Sequence, residues 1–149
     1  MIQKPRFPEE FIEYGKFVLH SGLRSNARYD VNSMLKNDFY LKYVLDKIPK
    51  SEHYIGIATG GASMAIATHT RFPNSKFSTI HDGELKRDYP KGNWILLDDV
   101  TTTGGSLLEA IALIGSNPKE IIVAMDRRWR NINPEIVSIF EPVPAWLLL

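Results

Sequence analysis

The chain has 149 residues, no cysteine, a net charge of +1, 44% hydrophobic residues and 23% charged residues. That length fits one domain able to bury a core without staples, and the lack of cysteine excludes disulfides, thiolate metal sites and thiol catalysis. A charge so near zero gives no global pull toward nucleic acid or an anionic membrane.

The opening stretch, Met1 to Glu10, carries charges and two prolines instead of a signal-type apolar core. No apolar run reaches bilayer-spanning length. The expectation is a soluble, cytoplasmic protein that binds neither nucleic acid nor membrane.

Taken in chain order, Phe7, Phe11, Tyr14 and Val18 fall at helical spacing with Glu9 and Glu10 in the first turn, which predicts a helix over about 8–18. Phe17 to His20 and Arg28 to Asn32 then predict two short strands around the Ser21-Gly22 turn. A second helix is predicted over Ser33 to Ile48, with Phe39, Tyr40, Val44, Leu45 and Ile48 as its apolar face and Pro49 as its stop. From there strands alternate with helices. The strands are Tyr54–Ala58, Lys76–Ile80, Trp94–Leu97, Glu120–Met125 and Val137–Phe140; the helices are Ala62–Phe72 and Gly105–Ile114. His81 to Asn93 is polar, contains Gly83, Pro90 and Gly92, and predicts a mobile loop. This alternation predicts an α/β fold: a central, mostly parallel sheet flanked by helices. Such sheets bind ligands at the carboxyl ends of their strands.

One segment carries chemistry most plainly. Leu97-Asp98-Asp99-Val100-Thr101-Thr102-Thr103-Gly104-Gly105-Ser106 runs from a strand, through two acids and a hydroxyl-and-glycine loop, into a helix. Residues 101–105 can turn so that successive N–H groups point inward, and the helix adds free donors and the positive end of its dipole. The hydroxyls of Thr102, Thr103 and Ser106 can add to this cradle. Asp98 and Asp99 would repel a phosphate, but each can accept two hydrogen bonds from a sugar diol. The ligand this segment suits is therefore a sugar phosphate. Neither G-x-x-x-x-G-K-[ST] nor G-x-G-x-x-G after a strand is present, which argues against nucleotidase and dinucleotide sites.

Leu97 to Leu107 resembles the motif of type I phosphoribosyltransferases that binds phosphoribosyl pyrophosphate (PRPP). Within that class the chain is most similar to the orotate phosphoribosyltransferase family. Phe17-Val-Leu-His-Ser-Gly22, followed by Ser25 and Tyr29-Asp30, resembles the family's N-terminal strand pair. Gly56 to Gly61 resembles its G-x-x-x-G-G pyrophosphate loop. Met125-Asp126-Arg127-Arg128 resembles its V-D-R strand end, and Ser138-Ile139-Phe140 its S-L-F near the C-terminus.

The resemblance implies one phosphoribosyltransferase domain over residues 1–149, with a hood on the substrate side at 1–35, containing a small antiparallel strand pair, and a PRPP-binding core at 50–149. It implies transfer of ribose 5-phosphate from PRPP to orotate, with Mg²⁺ accompanying PRPP and no metal bound directly by the protein. Thr101, Thr102, Thr103, Gly104, Gly105 and Ser106, with Val100, would hold the 5′-phosphate end. Asp98 and Asp99 would hold the ribose hydroxyls and favour positive charge on the ring. Thr59, Gly60 and Gly61 would approach the pyrophosphate. Arg127, which opens the basic run Arg127-Arg128-Trp129-Arg130, would grip the carboxylate of orotate, with Thr102 also near the base. His20 stands where the family usually has a lysine that contacts substrate. Lys86 and Arg87, with Lys91, would close over the pyrophosphate from the 81–93 loop, which in the family serves the neighbouring subunit and so implies a homodimer. The family's usual R-K-x-x-K-x-H-G order is absent; His81-Asp82-Gly83 precedes the basic pair. The other readings are a phosphoribosyltransferase for another base and a PRPP-sensing regulator without catalysis.

Overall fold

The computed structural model describes residues 3–129 and 134–145; Met1, Ile2, Arg130 and the rest of 131–133 and 146–149 lie outside the described residues. A 3-10 turn at Glu9–Phe11 leads into strand β1 (Ile12–Val18), which pairs antiparallel with β2 (Arg24–Tyr29). Helices α1 (Val31–Leu35) and α2 (Asp38–Asp46) follow. The rest is β3 (His53–Ile57), α3 (Gly60–Arg71), β4 (Lys76–His81), β5 (Glu84–Lys86), β6 (Trp94–Thr101), α4 (Gly105–Ile114), β7 (Glu120–Asp126) and β8 (Val137–Ser138).

Six strands form one sheet in the order β5-β4-β3-β6-β7-β8. Only β5 runs antiparallel to its neighbour. The central strands are continuous apolar runs, as strands buried on both faces must be. Their side chains alternate between two cores. Tyr54, Ile95, Leu97, Ile122 and Ala124 pack with the hood and with α1, α2 and α3. Ile55, Trp94, Leu96, Ile121 and Val123 pack with Leu107 and Ala110 of α4. The chain leaves β3 into α3 on one face and leaves β6 into α4 on the other. The adjacent strands β3 and β6 therefore bound the topological switch point, where an open crevice forms at the carboxyl ends.

Four sequence expectations are corrected by tertiary structure. The helix over 8–18 is instead the 3-10 turn plus β1: Ile12 pairs opposite Tyr29 and both are buried, whereas Tyr14 and Val18 are exposed. Cross-strand burial has overridden a weak helical stripe. The single helix over 33–48 is two, because Asn37 leaves helical geometry and its side chain caps α2, accepting from the N–H groups of Phe39 and Tyr40. The strand at 28–32 stops at Tyr29, since Asp30 caps α1 by accepting from the Ser33 N–H at 3.1 Å. The 81–93 segment is partly ordered: Asp82 and Gly83, both with positive φ, turn the chain so that β5 pairs along the edge of β4.

The crevice depends on backbone approach that only glycine permits. A Cβ on Gly56 would sit 2.0 Å from the Gly61 carbonyl oxygen. Gly56→Ala must therefore push the start of α3 off β3. The expected loss is about 1–3 kcal/mol in denaturant unfolding. An unchanged midpoint would mean that α3 is not seated as described.

Candidate active site

The crevice is built by two loops that diverge from β3 and β6. On the β3 side the chain passes through a cis peptide between Ala58 and Thr59 into α3. Gly60 and Gly61 then cross the end of β6. A Cβ on Gly60 would lie 2.5 Å from Cβ of Asp99, and one on Gly61 would lie 2.4 Å from the Leu97 carbonyl oxygen. The glycine loop and the acidic strand end are thus in direct contact, with the start of α3 lying against the Asp99 side chain.

On the β6 side the loop closes on itself. Thr101 is buried, and its hydroxyl accepts from the Gly104 N–H at 3.1 Å. The Thr103 hydroxyl accepts from the Gly105 N–H at 3.2 Å. Gly104 has φ 84°, the left-handed turn that starts α4. The first-turn N–H groups of Ser106 and Leu107 remain without intrahelical partners. Thr101 therefore shapes the cradle from inside, while Thr102 faces the crevice.

Asp98 and Asp99 differ in environment. Asp98 is buried, and its carboxylate accepts from the Asp99 N–H at 2.8 Å. Burial holds its carboxyl well above the ordinary carboxylic range; the neighbouring Asp99 adds to this, and the Asp99 N–H opposes it. Asp99 is partly exposed, accepts from the Val100 N–H at 2.7 Å and lines the crevice.

Arg127 leaves the end of β7 and is 1% exposed. It donates from Nη1 to the Ala27 carbonyl at 3.0 Å, and from Nη2 to the Ser25 hydroxyl at 2.9 Å and the Ala145 carbonyl at 3.2 Å. Its guanidinium carbon lies 4.8 Å from the centre of the Tyr29 ring. Burial lowers its pKa and Tyr29 opposes that shift, but arginine stays charged. Nε is buried without a partner. Arg127 thus rivets the β1–β2 hood to the sheet and keeps its buried Nε–H without a partner among the described residues. Behind it, Asp126 and Arg128 form a buried ion pair at 2.9 Å, and the Arg128 stem packs by Gly104.

Between hood and sheet lies a cleft of about 490 Å³, lined by Phe17, Val18, Leu19, His20, Arg28, Tyr29, Asp99, Val100, Thr102 and Arg127. It brings together His20, Asp99, Val100, Thr102 and Arg127 from the sequence reading. Thr59, Gly60 and Gly61 adjoin it through Asp99; Thr103, Gly104, Gly105 and Ser106 adjoin it through Thr102. Lys86 and Arg87 are not brought there. Their strand lies three positions across the sheet from β6, about 14 Å at ordinary strand spacing. Lys86 pairs with Glu84 at 3.0 Å. Arg87 donates to the Phe77 carbonyl at 2.9 Å and lies 4.1 Å over its ring. The sequence motifs assign no site role to Arg28 or Phe17, which the structure places on the cleft wall. Their place depends on the hairpin register, which a single strand pattern does not encode.

The fold is that of type I phosphoribosyltransferases. It matches adenine phosphoribosyltransferase from Leishmania donovani with a TM-score of 0.57 at 15% identity, over 79% of this chain and 65% of that one. It matches orotate phosphoribosyltransferase from Aeropyrum pernix with a TM-score of 0.68 at 29% identity, over 79% of this chain and 77% of that one. In sequence, the Aeropyrum pernix orotate phosphoribosyltransferase is 30% identical over 76% of this chain and 70% of its own length. That of Buchnera aphidicola is 33% identical over 84% of this chain and 72% of its own. No protein-family model matches the chain. On this similarity the chain belongs to the orotate phosphoribosyltransferase family.

The buried acid sets a pH test. The folded Asp98 carboxyl keeps its proton to higher pH than the unfolded one, whose pKa is about 3.9. Its stabilising contribution is full below about pH 4 and is lost as pH rises through the raised value. Asp98→Asn removes that loss while keeping an oxygen for the Asp99 N–H. The variant should melt higher than wild type at pH 7.5, with the advantage fading toward pH 4, and should bind PRPP more weakly. A variant that melts lower at pH 7.5 would contradict the assignment.

Proposed function

We propose that this protein transfers ribose 5-phosphate from PRPP to orotate, releasing pyrophosphate and forming orotidine 5′-monophosphate for pyrimidine biosynthesis. The observation that carries the reading is the contact between the α3 glycine loop and Asp99, one crevice wide, beside the Thr101–Ser106 cradle and the hooded cleft. A donor with a phosphate at one end, a diol in the middle and a diphosphate at the other fits that sequence of groups.

In this reading the bond from ribose C1 to the pyrophosphate oxygen breaks, with the electron pair leaving on pyrophosphate. A ring nitrogen of the base donates the pair that forms the new bond to C1. Thr102, Thr103 and the first-turn N–H groups of α4 hold the 5′-phosphate. Asp99 accepts from the ribose hydroxyls and stabilises the positive charge that develops on the ring, while the buried Asp98 beneath it holds the Asp99 N–H. Thr59, Gly60 and Gly61 hold the diphosphate. Arg127 and His20 face the base, Arg127 contributing its charge and its unpaired Nε–H, with a two-pronged grip excluded by its bonds to the hood. Mg²⁺ would accompany the donor on its phosphate oxygens and water, with Asp99 the partly exposed carboxylate beside that path. Among the described residues no three acids or histidines cluster to cage a metal, and no helix is long and apolar enough to cross a membrane. A cytoplasmic setting is part of the proposal.

Release of pyrophosphate from PRPP and Mg²⁺, measured across a panel of bases, tests this directly. Orotate should be consumed and uracil, adenine and guanine should react far more slowly. Preference for a purine would replace orotate with another acceptor; PRPP binding without turnover on any base would leave the regulator.

The position of Lys86, exposed and three strands from Asp99, supports a homodimer in which the edge segment serves the partner's crevice. Mixing an inactive Lys86→Ala/Arg87→Ala protein with inactive Asp99→Asn should then restore about a quarter of wild-type activity once subunits exchange, as random pairing of one intact site per hybrid requires. Exchange without any recovery would mean that the segment acts in its own subunit or not at all.

A further inference from the structure

We propose that Arg28 selects a base bearing a carboxylate, acting as the cation of the cleft with a free hydrogen-bonding edge; this rests on the acceptor reading above. A carboxylate is best held by two parallel N–H groups on one edge of a guanidinium. Arg127 cannot offer such an edge. Both donors of its Nη2 are taken, by Ser25 and Ala145, and one donor of Nη1 is taken by Ala27. Only the lone Nε–H and one Nη1–H remain, and they do not share an edge. To free an edge, Arg127 would have to release the hood that forms the cleft.

Arg28 stands in the opposite condition. Its side chain is 56% exposed and, among the described residues, makes one hydrogen bond, from Nη2 to Glu13 at 2.7 Å. Its guanidinium lies 5.2 Å over the Phe17 ring, which lines the same cleft. Stacking on Phe17 fixes the plane of the fork, and because Glu13 takes one Nη2 N–H, the second Nη2 N–H still completes a two-donor edge with Nε or with Nη1. Glu13 is the partner across the strand pair, in register with Arg28. It holds the arginine at the cleft rim and is itself exposed, so a substrate carboxylate can replace it with little cost. The cleft therefore divides two tasks between two arginines. Arg127 supplies a buried charge and holds the wall; Arg28 makes the contact that distinguishes a carboxylated pyrimidine from a plain one.

The test compares wild type, Arg28→Gln, Arg28→Lys and Glu13→Gln. Orotate affinity is measured by calorimetry, and kcat and KM are measured for orotate, uracil and PRPP. Arg28→Gln should weaken orotate binding and raise its KM about tenfold. The KM for PRPP should stay within about twofold, and kcat/KM for uracil, which has no carboxylate, should not fall. Arg28→Lys, which keeps the charge without the fork, should recover part of the affinity, and Glu13→Gln should bind orotate at least as tightly as wild type. An unchanged orotate affinity in Arg28→Gln would overturn the proposal, as would a loss that falls equally on uracil or mainly on PRPP. These results differ from failure of the acceptor reading, in which wild type itself neither binds nor consumes orotate.

Discussion

The site depends on one steric fact: α3 begins in van der Waals contact with β3 and β6. Gly56, Gly60 and Gly61 each stand where a Cβ would meet atoms at 2.0–2.5 Å, in the Gly61 carbonyl, Asp99 and the Leu97 carbonyl respectively. With those three positions bare, the turn after β3 lies on the end of β6. The glycine loop and the acidic strand end then become two walls of one crevice. A side chain at any of the three would separate them, and no rearrangement of the phosphate cradle could restore the distance.

The second wall-forming contact is electrostatic. Arg127 is carried to the sheet edge by β7, whose register places Asp126 opposite Thr101, and its N–H bonds to the Thr101 carbonyl at 2.7 Å. Its backbone thus braces the start of the cradle while its side chain holds the hood through Ser25 and Ala27. One residue links the Thr101–Ser106 loop to the hooded cleft. That link explains why a charge can be buried here: three acceptors and an aromatic face replace water. It also explains why contact with an anionic base falls to a different arginine at the rim.

What was legible in the sequence is what is encoded locally. The helix predicted over Gly105 to Ile114 has the bounds of α4, because a glycine turn begins it and Gly115 ends it. The central strands were legible because parallel strands buried on both faces leave unbroken apolar runs. Asp99, Thr102 and the cradle followed from one contiguous motif. The rest depends on partners far along the chain. Residues 12–18 pair with 24–29, so the helical spacing of Phe7, Phe11, Tyr14 and Val18 misled. Asn37 breaks a helix through its own side chain within an otherwise periodic stretch. Arg127 was legible as a cleft residue, but its bonds reach residues about a hundred positions away. Lys86 and Arg87 have loop-like composition, yet an Asp82-Gly83 turn folds them back on the sheet edge.

If PRPP binds in the crevice between β3 and β6 with the base under the hood, amide hydrogen exchange will register it, with and without PRPP and Mg²⁺ and then with orotate added to a product-forming mixture. PRPP should slow exchange at residues 59–61 and 101–107, and the base should add protection in 24–29 of the hood. Protection confined to other surfaces, with 59–61 and 101–107 unchanged, would contradict the account.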